Sequence, residues 1–436
     1  MNSNKANIKN NLPQELKVAL VHDFLNQYGG AERVLSALHE IFPEAPIYTL
    51  LYDPEKMRGE FEKADIRASF LQKFPRFLRK RHKWLLPLMP TAPETFNLRD
   101  FDLVISSSSA FAKGIIVKPK TIHLCYCHSP LRYAWDWNEK YLDEQGLGSR
   151  RRLLARFLLN YIRVWDRVAA DRVDFFVANS KYTQARLKKY YGRESVVVYP
   201  PVDVNVDANV DTNIDANIDA NVDANVDTNI DANVDANVDV GRLQRRRPTS
   251  TTSPTSTTAS TTADYFLIVS RLSPYKKIEI AVEGMNKLGL PLLVIGEGSP
   301  KYLKYLQSIA GPKTKFLGWL PEEKIKEYYA GCRAFLFPGE DDFGIAPVEA
   351  MSFGKPVIAL RRGGARETVL EGITGEFFNE PTIEVFADAI RRFMKKEKFY
   401  DPIKIYAQAK KFSKEKFQEN FLRVLREVMG FSPEGS

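Results

Sequence analysis

Ala334-Phe-Leu-Phe-Pro-Gly-Glu-Asp-Asp-Phe-Gly-Ile-Ala-Pro-Val-Glu-Ala350 holds a strand, an acidic turn and the start of a helix within seventeen residues. Ala334 to Phe337 is a short, uninterrupted apolar run, the pattern of a strand covered on both faces. Phe343-Gly344 then turns the chain, and an apolar helix opens behind it. Asp341 and Glu349 stand eight positions apart on either side of that turn. Carboxylates there are suited to accept hydrogen bonds from vicinal hydroxyls. The helix N-terminus beside them favours an anion such as phosphate.

The same alternation of short apolar strands and helices runs outward in both directions. Toward the N-terminus, Lys17–His22, Asp102–Ser106, Thr121–Tyr126, Asp174–Asn179 and Val196–Pro201 read as strands. Helices are predicted over Ala31–Phe42 and, as a long basic amphipathic one, over Arg151–Val173. On the other side Asp264–Ser270, Leu292–Gly296 and Pro356–Leu360 read as strands, and the stretch from about 383 to 430 as helical. Buried strands alternating with helices imply parallel sheets, so the fold class is α/β with two Rossmann-like domains. The expected division is an N-terminal domain over 1–201, an inserted linker over 202–262, and a C-terminal domain over 263–390. Helices over 391–436 are expected to pack back toward the N-terminal domain.

The linker is unlike the rest. From Val202 to Asn237 the unit (Val/Ile)-Asp-(Ala/Thr/Val)-Asn occurs nine times, and a Thr/Ser run follows at Thr249–Thr262. Each unit offers too little apolar surface to stabilise a fold, which predicts disorder. Stacked β structure and calcium binding by the regular Asp residues are the alternatives, although the glycines of calcium-binding repeats are absent.

The 436 residues carry a net charge of +9, and 44% are hydrophobic. Ten Asp and four Arg put −6 on 202–262, which leaves +15 on the rest of the chain. Basic residues concentrate in Lys73-Phe-Pro-Arg-Phe-Leu-Arg-Lys-Arg-His-Lys-Trp84 and again at Arg150, Arg151, Arg152 and Arg156. Cations mixed with Phe, Leu and Trp fit peripheral contact with an anionic membrane, and a solvated basic face is the alternative. No nucleic-acid recognition motif accompanies the charge, so no nucleic-acid partner is expected. No apolar run is long enough to span a bilayer, and the polar N-terminus lacks a signal core. Three cysteines, Cys125, Cys127 and Cys332, form no disulfide framework. A cytoplasmic protein is expected, with the inner face of the cell membrane as a peripheral location.

Candidate chemistry follows the strand ends, where α/β folds bind ligands. Arg271 ends one strand and Lys276 lies five residues on; two cations there can neutralise a diphosphate leaving group, or be ordinary loop cations. Gly296-Glu-Gly298 and Gly363-Gly-Ala-Arg-Glu367 form further loops at strand ends. Cys125-Tyr-Cys127-His128 has the look of a metal site but lacks a second Cys/His pair. Ser106–Ser109 reads as a turn ending a strand, with phosphate or acceptor contact as the alternative. Trp135 and Trp137 could stack on a sugar or pack in the core.

Taken in order, these segments resemble glycosyltransferase family 4, and mannosyltransferases of surface-polysaccharide and O-antigen assembly in particular. Val21-His-Asp-Phe-Leu-Asn-Gln-Tyr-Gly-Gly-Ala-Glu-Arg33, Cys127-His-Ser-Pro-Leu-Arg-Tyr-Ala-Trp-Asp136 and Asn179-Ser-Lys-Tyr-Thr183 extend the resemblance to the N-terminal half. It implies a retaining enzyme of the GT-B type, with two sheets facing across a cleft and no metal or other cofactor. The substrates implied are a sugar nucleotide, GDP-mannose first, and a glycan or lipid-linked acceptor. It also assigns residues. Arg271 and Lys276 would hold the diphosphate, Glu349 the ribose, and Asp341 the sugar hydroxyls. His128 would face the transferred sugar. Phe343, Gly344 and Ile345 would border the donor, and Gly29 and Gly30 would let backbone amides approach it. The family's first acid is normally Glu; with Asp341 the loop must move inward, or Glu340 or Asp342 must share the task. A UDP-sugar enzyme and a non-catalytic nucleotide- or glycan-binding protein remain alternatives. A nicotinamide dehydrogenase is disfavoured, because Asn26–Glu32 supplies no G-x-G-x-x-G.

Overall fold

Thirteen short strands organise a computed structural model that describes residues 16–57, 59–144, 148–204 and 264–430. The N-terminal segment 1–15 and nearly all of the repeat and Thr/Ser region lie outside the described residues, so the linker expectation falls there too.

Seven strands form the first sheet: β1 (Val18–Leu25), β2 (Ile47–Tyr52), β3 (Ile66–Ala68), β4 (Leu103–Ser108), β5 (Ile122–Cys127), β6 (Phe175–Ala178) and β7 (Ser195–Val197). Their order is β3-β2-β1-β4-β5-β6-β7, and every pairing is parallel. Six form the second: β8 (Phe266–Val269), β9 (Leu292–Ile295), β10 (Thr314–Gly318), β11 (Ala334–Phe337), β12 (Val357–Leu360) and β13 (Gly375–Phe378). That sheet runs β10-β9-β8-β11-β12-β13 and is also parallel throughout. Parallel strands need helical crossovers that cover both faces, which is why the central strands read as unbroken apolar runs. Each sheet reverses its winding once, between β1 and β4 and between β8 and β11. Such a switch point leaves a crevice at the strand carboxyl ends.

Each sheet has its own core. Leu20, Leu35, Leu38, Ile105, Leu124 and Tyr126 are buried in the first. Phe266, Ile268, Phe335, Leu336, Ile358 and Phe386 are buried in the second. The chain does not divide between them where the sequence does. Val202, placed at the head of the linker, is buried in the second core, and its N–H donates to the Phe412 carbonyl at 3.0 Å. Phe393, Tyr400, Ile405 and Phe412 belong to that same core, so residues just past 390 continue the second domain. Among the described residues past 390, only the last helix, Lys414–Val428, crosses over, and it buries Phe417, Phe421, Leu422, Val424 and Leu425 in the first core. At roughly 1.5–3 kcal/mol per buried apolar side chain, this helix is a substantial tie between the halves.

Two sequence readings shift. The basic helix begins earlier than expected and runs Ser149–Asp171. Ser106, Ser107 and Ser108 do not form a turn; they are buried residues of β4. The turn that follows is organised by Asp23, whose carboxylate accepts from the N–H groups of Ser109, Ala110, Phe111 and Ala112 at 2.6–2.8 Å.

Candidate active site

The acidic turn sits where its sequence put it, between β11 and the helix Ile345–Ser352. Gly344 has φ +85°, a conformation that side chains rarely adopt, so glycine is required there. Pro347 falls in the first helical turn, where no intrahelical donor is needed. Gly363 and Gly364 press on the turn from β12's end. A Cβ on Gly364 would lie 2.3 Å from the Phe343 Cα, so only glycine lets the two loops touch.

A cavity of about 1120 Å³ opens beside this turn, walled by both halves of the molecule. From the second half come Arg271 at the end of β8, Gly296 and Glu297 at the end of β9, Lys276, Asp341, Gly344, Ile345 and Glu349. From the first come Asn26 to Gly30, directly after β1, and Arg33. Both switch points therefore empty into one space.

Within it, Lys276 forms an ion pair with Asp341, and Arg271 reaches across to the Gln27 Oε1 at 3.2 Å. Burial alone would push the Asp341 carboxyl up. The charges of Lys276 and Arg132 outweigh it and hold the group below its ordinary range, so it is ionised at neutral pH. Glu349 accepts from Arg33 and, at 2.9 Å, from the Tyr329 hydroxyl. A Cβ on Gly30 would meet the Ile345 Cδ1 at 2.6 Å, which shows how closely the first helix meets the acidic one.

The neighbouring acids are already engaged. Asp342 takes the guanidinium of Arg132 (Nε at 3.0 Å) and that of Arg186 (Nη1 at 2.6 Å), both from the first half. Glu340 accepts the Tyr182 hydroxyl at 2.7 Å. Neither lines the cavity, so of the three consecutive acids Asp341 alone is presented to it. Glu367 is likewise spoken for. It accepts the N–H groups of Lys181 and Tyr182 at 2.8 and 2.9 Å, at the start of the helix Lys181–Tyr191.

Three expectations need correction or relocation. Phe343 does not border the cavity; it is buried against Tyr199 and Phe412 with ring centroids 5.7 and 5.5 Å away. An apolar ring between two glycine-flexed loops gains more from packing than from facing water. His128 also lies outside the cavity lining. Its Nε2 meets the Ser107 Oγ at 2.8 Å, and Ser107 in turn meets the His22 Nδ1 at 3.1 Å. Trp135 packs face to face on Tyr190 at 4.9 Å and donates to Asp166, which commits it to the core. Trp137 sits edge-on to Tyr275 of the second half at 5.2 Å. Cys125 and Cys127 point into an apolar cluster, and burial pushes the Cys125 thiol up to about 12. Among the described residues no group of three or more His, Cys, Asp or Glu is placed to hold a metal ion.

Burial, reinforced by the His22 charge, pushes the His128 imidazole down to about 3, and burial does the same to His123. Both rings are therefore neutral hydrogen-bonding groups at physiological pH. An unfolded histidine protonates near about 6.5. Because the folded values are depressed, protons bind the unfolded chain first, and stability falls as pH drops from about 6.5 toward 3. Urea midpoints measured between pH 6.5 and 5.5 are expected to decline, with a shallower slope in His128→Gln. A variant slope equal to the parent's would contradict this placement.

Arg33, Lys56, Arg76, Arg79, Lys80 and Trp319 also line the cavity, and sequence reasoning did not single them out as site residues. Arg33 closes the quoted Val21–Arg33 segment, and Arg76, Arg79 and Lys80 fall in the basic run Lys73–Trp84 that reads as surface. Those were the available signals.

Two family models match the chain: Glycosyltransferase Family 4 over residues 28–206, and Glycosyl transferases group 1 over residues 250–411. Together they cover both halves of the cavity. Among curated proteins, alpha-1,3/1,6-mannosyltransferase ALG2 of Dictyostelium discoideum is 23% identical over 409 residues, 87% of this chain and 90% of its own length. A glycogen synthase of Pseudomonas aeruginosa is 32% identical over 135 residues, which is 29% of this chain and 26% of that enzyme. Among solved structures, Anabaena Alr3699/HepE in complex with UDP superimposes with a TM-score of 0.61 at 17% identity, covering 94% of this chain and all of that one. WaaG, a glycosyltransferase of lipopolysaccharide biosynthesis, gives 0.60 at 13% identity, covering 93% of this chain and 99% of its own. At these identities the superpositions speak for the two-sheet GT-B fold.

Proposed function

This chain belongs to glycosyltransferase family 4, and within that family we propose that it moves mannose from GDP-mannose onto a lipid-linked or polysaccharide acceptor. The observation that carries the reading is the pairing of Lys276 with Asp341 in a cavity also lined by Arg271 and Glu349. A hexose joined to a diphosphate needs an acceptor for its hydroxyls and a cation for its phosphate within a few ångströms of each other. That juxtaposition is what Asp341 and Lys276 supply. Glu349, which also lines the cavity, would take a ribose hydroxyl in exchange for one of its present partners, Arg33 or Tyr329. Mannose is favoured by the likeness to a mannosyltransferase that spans most of both chains.

The proposed transfer invokes no covalent nucleophile. The bond from C1 to the diphosphate oxygen breaks, and the acceptor hydroxyl oxygen bonds C1 from the same face. Its proton passes to the departing diphosphate oxygen, while Arg271 and Lys276 neutralise the charge that develops there. No metal is required for this balance. His128, neutral and hydrogen-bonded to Ser107, takes no part in this step.

A thermal-unfolding screen of sugar nucleotides tests the donor. GDP-mannose at about 100 times its Kd should stabilise the fold by about 2.7 kcal/mol, with UDP-sugars giving less. A larger shift with a UDP-hexose would replace GDP by UDP in the reading. No shift with any sugar nucleotide would leave only a protein without donor binding.

The acceptor reading includes contact with an anionic membrane. No helix among the described residues is long and apolar enough to cross one. The helix Ser149–Asp171 instead exposes Leu154, Phe157, Tyr161, Val164 and Val168, spaced three and four apart along one side. Arg150, Arg151, Arg152 and Arg156 surround its first turns. The protein should pellet with phosphatidylglycerol vesicles, and Leu154→Ser/Phe157→Ser should stay in solution. If the parent stays in solution and sediments as a dimer, the stripe is covered by a second copy instead.

A further inference from the structure

Two helices from opposite halves, Gly30–Ile41 and Ile345–Ser352, bring their first turns together at the cavity. Gly30 makes the approach possible, since a Cβ there would lie 2.6 Å from the Ile345 Cδ1. Arg33 stands at i+3 from Gly30 and Glu349 at i+4 from Ile345, so each is the next residue along the face that makes this contact. The Arg33 guanidinium accordingly pairs with the Glu349 Oε1, and its Nη2 lies 3.4 Å from the Glu322 Oε1. The second Glu349 oxygen accepts the Tyr329 hydroxyl at 2.9 Å. Both oxygens of the carboxylate assigned to the ribose therefore hold protein partners. The two partners differ in how firmly they are held. Tyr329 is 2% exposed, and its ring stacks on that of Phe353 with centroids 5.7 Å apart. Arg33 reaches Glu349 from the other half on a long flexible side chain that lines the cavity and is 18% exposed.

We propose that Arg33 is an exchangeable counter-ion: the donor's ribose takes Glu349 from it, and the freed guanidinium turns to the donor's phosphate. The inference rests on the glycosyltransferase reading and deepens it by naming the residue through which the site selects a nucleoside diphosphate over a nucleoside. A nucleoside alone would break the Arg33–Glu349 pair and leave the guanidinium with Glu322 as its remaining acid partner. The Glu322 side chain is 42% exposed, and an ion pair in such a place is screened by water and contributes little. A diphosphate in the same cavity instead offers charge-assisted bonds that match the planar guanidinium fork. The exchange is therefore favourable only for a ligand that carries both groups. Arg271 and Lys276 meet the diphosphate from the second half, and Arg33 brings a third cation from the first. Donor binding thus trades a direct tie between the halves for one that runs through the donor.

Calorimetric titration of the full chain with guanosine and with GDP separates the two steps of the exchange. In Arg33→Met, guanosine should bind about tenfold tighter than to the parent, because no ion pair has to break, and GDP about tenfold weaker, because a charge-assisted contact is lost. Shifts of opposite sign are the signature of an exchanged counter-ion; a residue that only supports the fold would move both ligands the same way. Arg33→Lys keeps the charge without the fork and should recover part of the GDP affinity. If Arg33→Met lowers the thermal midpoint, Arg33→Lys carries the same comparison with smaller shifts. In a Glu349→Gln background, where the pair is already gone, Arg33→Met should leave guanosine binding unchanged and still weaken GDP. Tighter binding of both ligands to Arg33→Met would put the freed guanidinium on Glu322 and overturn the proposal. Both weaker, or both unchanged, would overturn it as well. Uridine and UDP are titrated alongside, so a UDP-dependent enzyme reports the same exchange. A parent that binds neither diphosphate would sink the donor reading and this inference together, a result distinct from a parent that binds one of them with Arg33 indifferent.

Discussion

Lys276→Ala is expected to lower kcat/KM for the donor by about 10²–10³, the loss seen when a preorganised charge at a leaving group is removed. The size follows from position. Lys276 lies in the cavity beside Arg271 and is paired with Asp341. Its ammonium would be aimed at an oxygen whose charge grows as the C1–O bond breaks. The variant also leaves Asp341 without its counter-ion, so the carboxyl should rise toward an ordinary value and lose part of its hold on sugar hydroxyls. Both effects act on the chemical step, so kcat should fall more than KM rises. Steady-state kinetics with GDP-mannose reads the split. An unchanged kcat with a raised KM would mean that Lys276 binds donor and transition state equally.

Asp342→Ala should be strongly destabilising. Its carboxylate holds Arg132 and Arg186, and Arg186 is itself buried between Asp342, Asp136 and the Ser129 hydroxyl. Removing one partner of a buried ion pair leaves an uncompensated charge and costs about 3–5 kcal/mol. Arg132 is partly exposed, so the lower end applies. These contacts also join the two halves beside the cavity, so kcat should drop as closure becomes less well defined. Urea unfolding gives the first quantity. A loss below about 1 kcal/mol, typical of a surface pair, would show that the network contributes little.

The contrast between these two residues shows what was readable. Lys276 and Asp341 could be found from sequence because each lies a few positions beyond an apolar strand, and strand ends are where this architecture opens. The alternation of short apolar runs with helices likewise gave two parallel sheets. Asp342 was invisible as a joint, because its partners Arg132 and Arg186 are 210 and 156 positions away. Nothing local encodes that meeting. Phe343 and His128 show a second limit. A motif fixes where the backbone runs, while packing decides which side chains face the cavity. Phe343 turned into the core, and His128 was captured by Ser107, a residue read as part of a turn and found inside β4.

Transfer from GDP-α-mannose, followed by NMR of the anomeric centre in the product, tests the central claim most directly. Transfer is expected at the same rate with and without EDTA, and the product is expected to be α-linked. An inverted product, or no transfer and no hydrolysis from any GDP- or UDP-sugar, would contradict it.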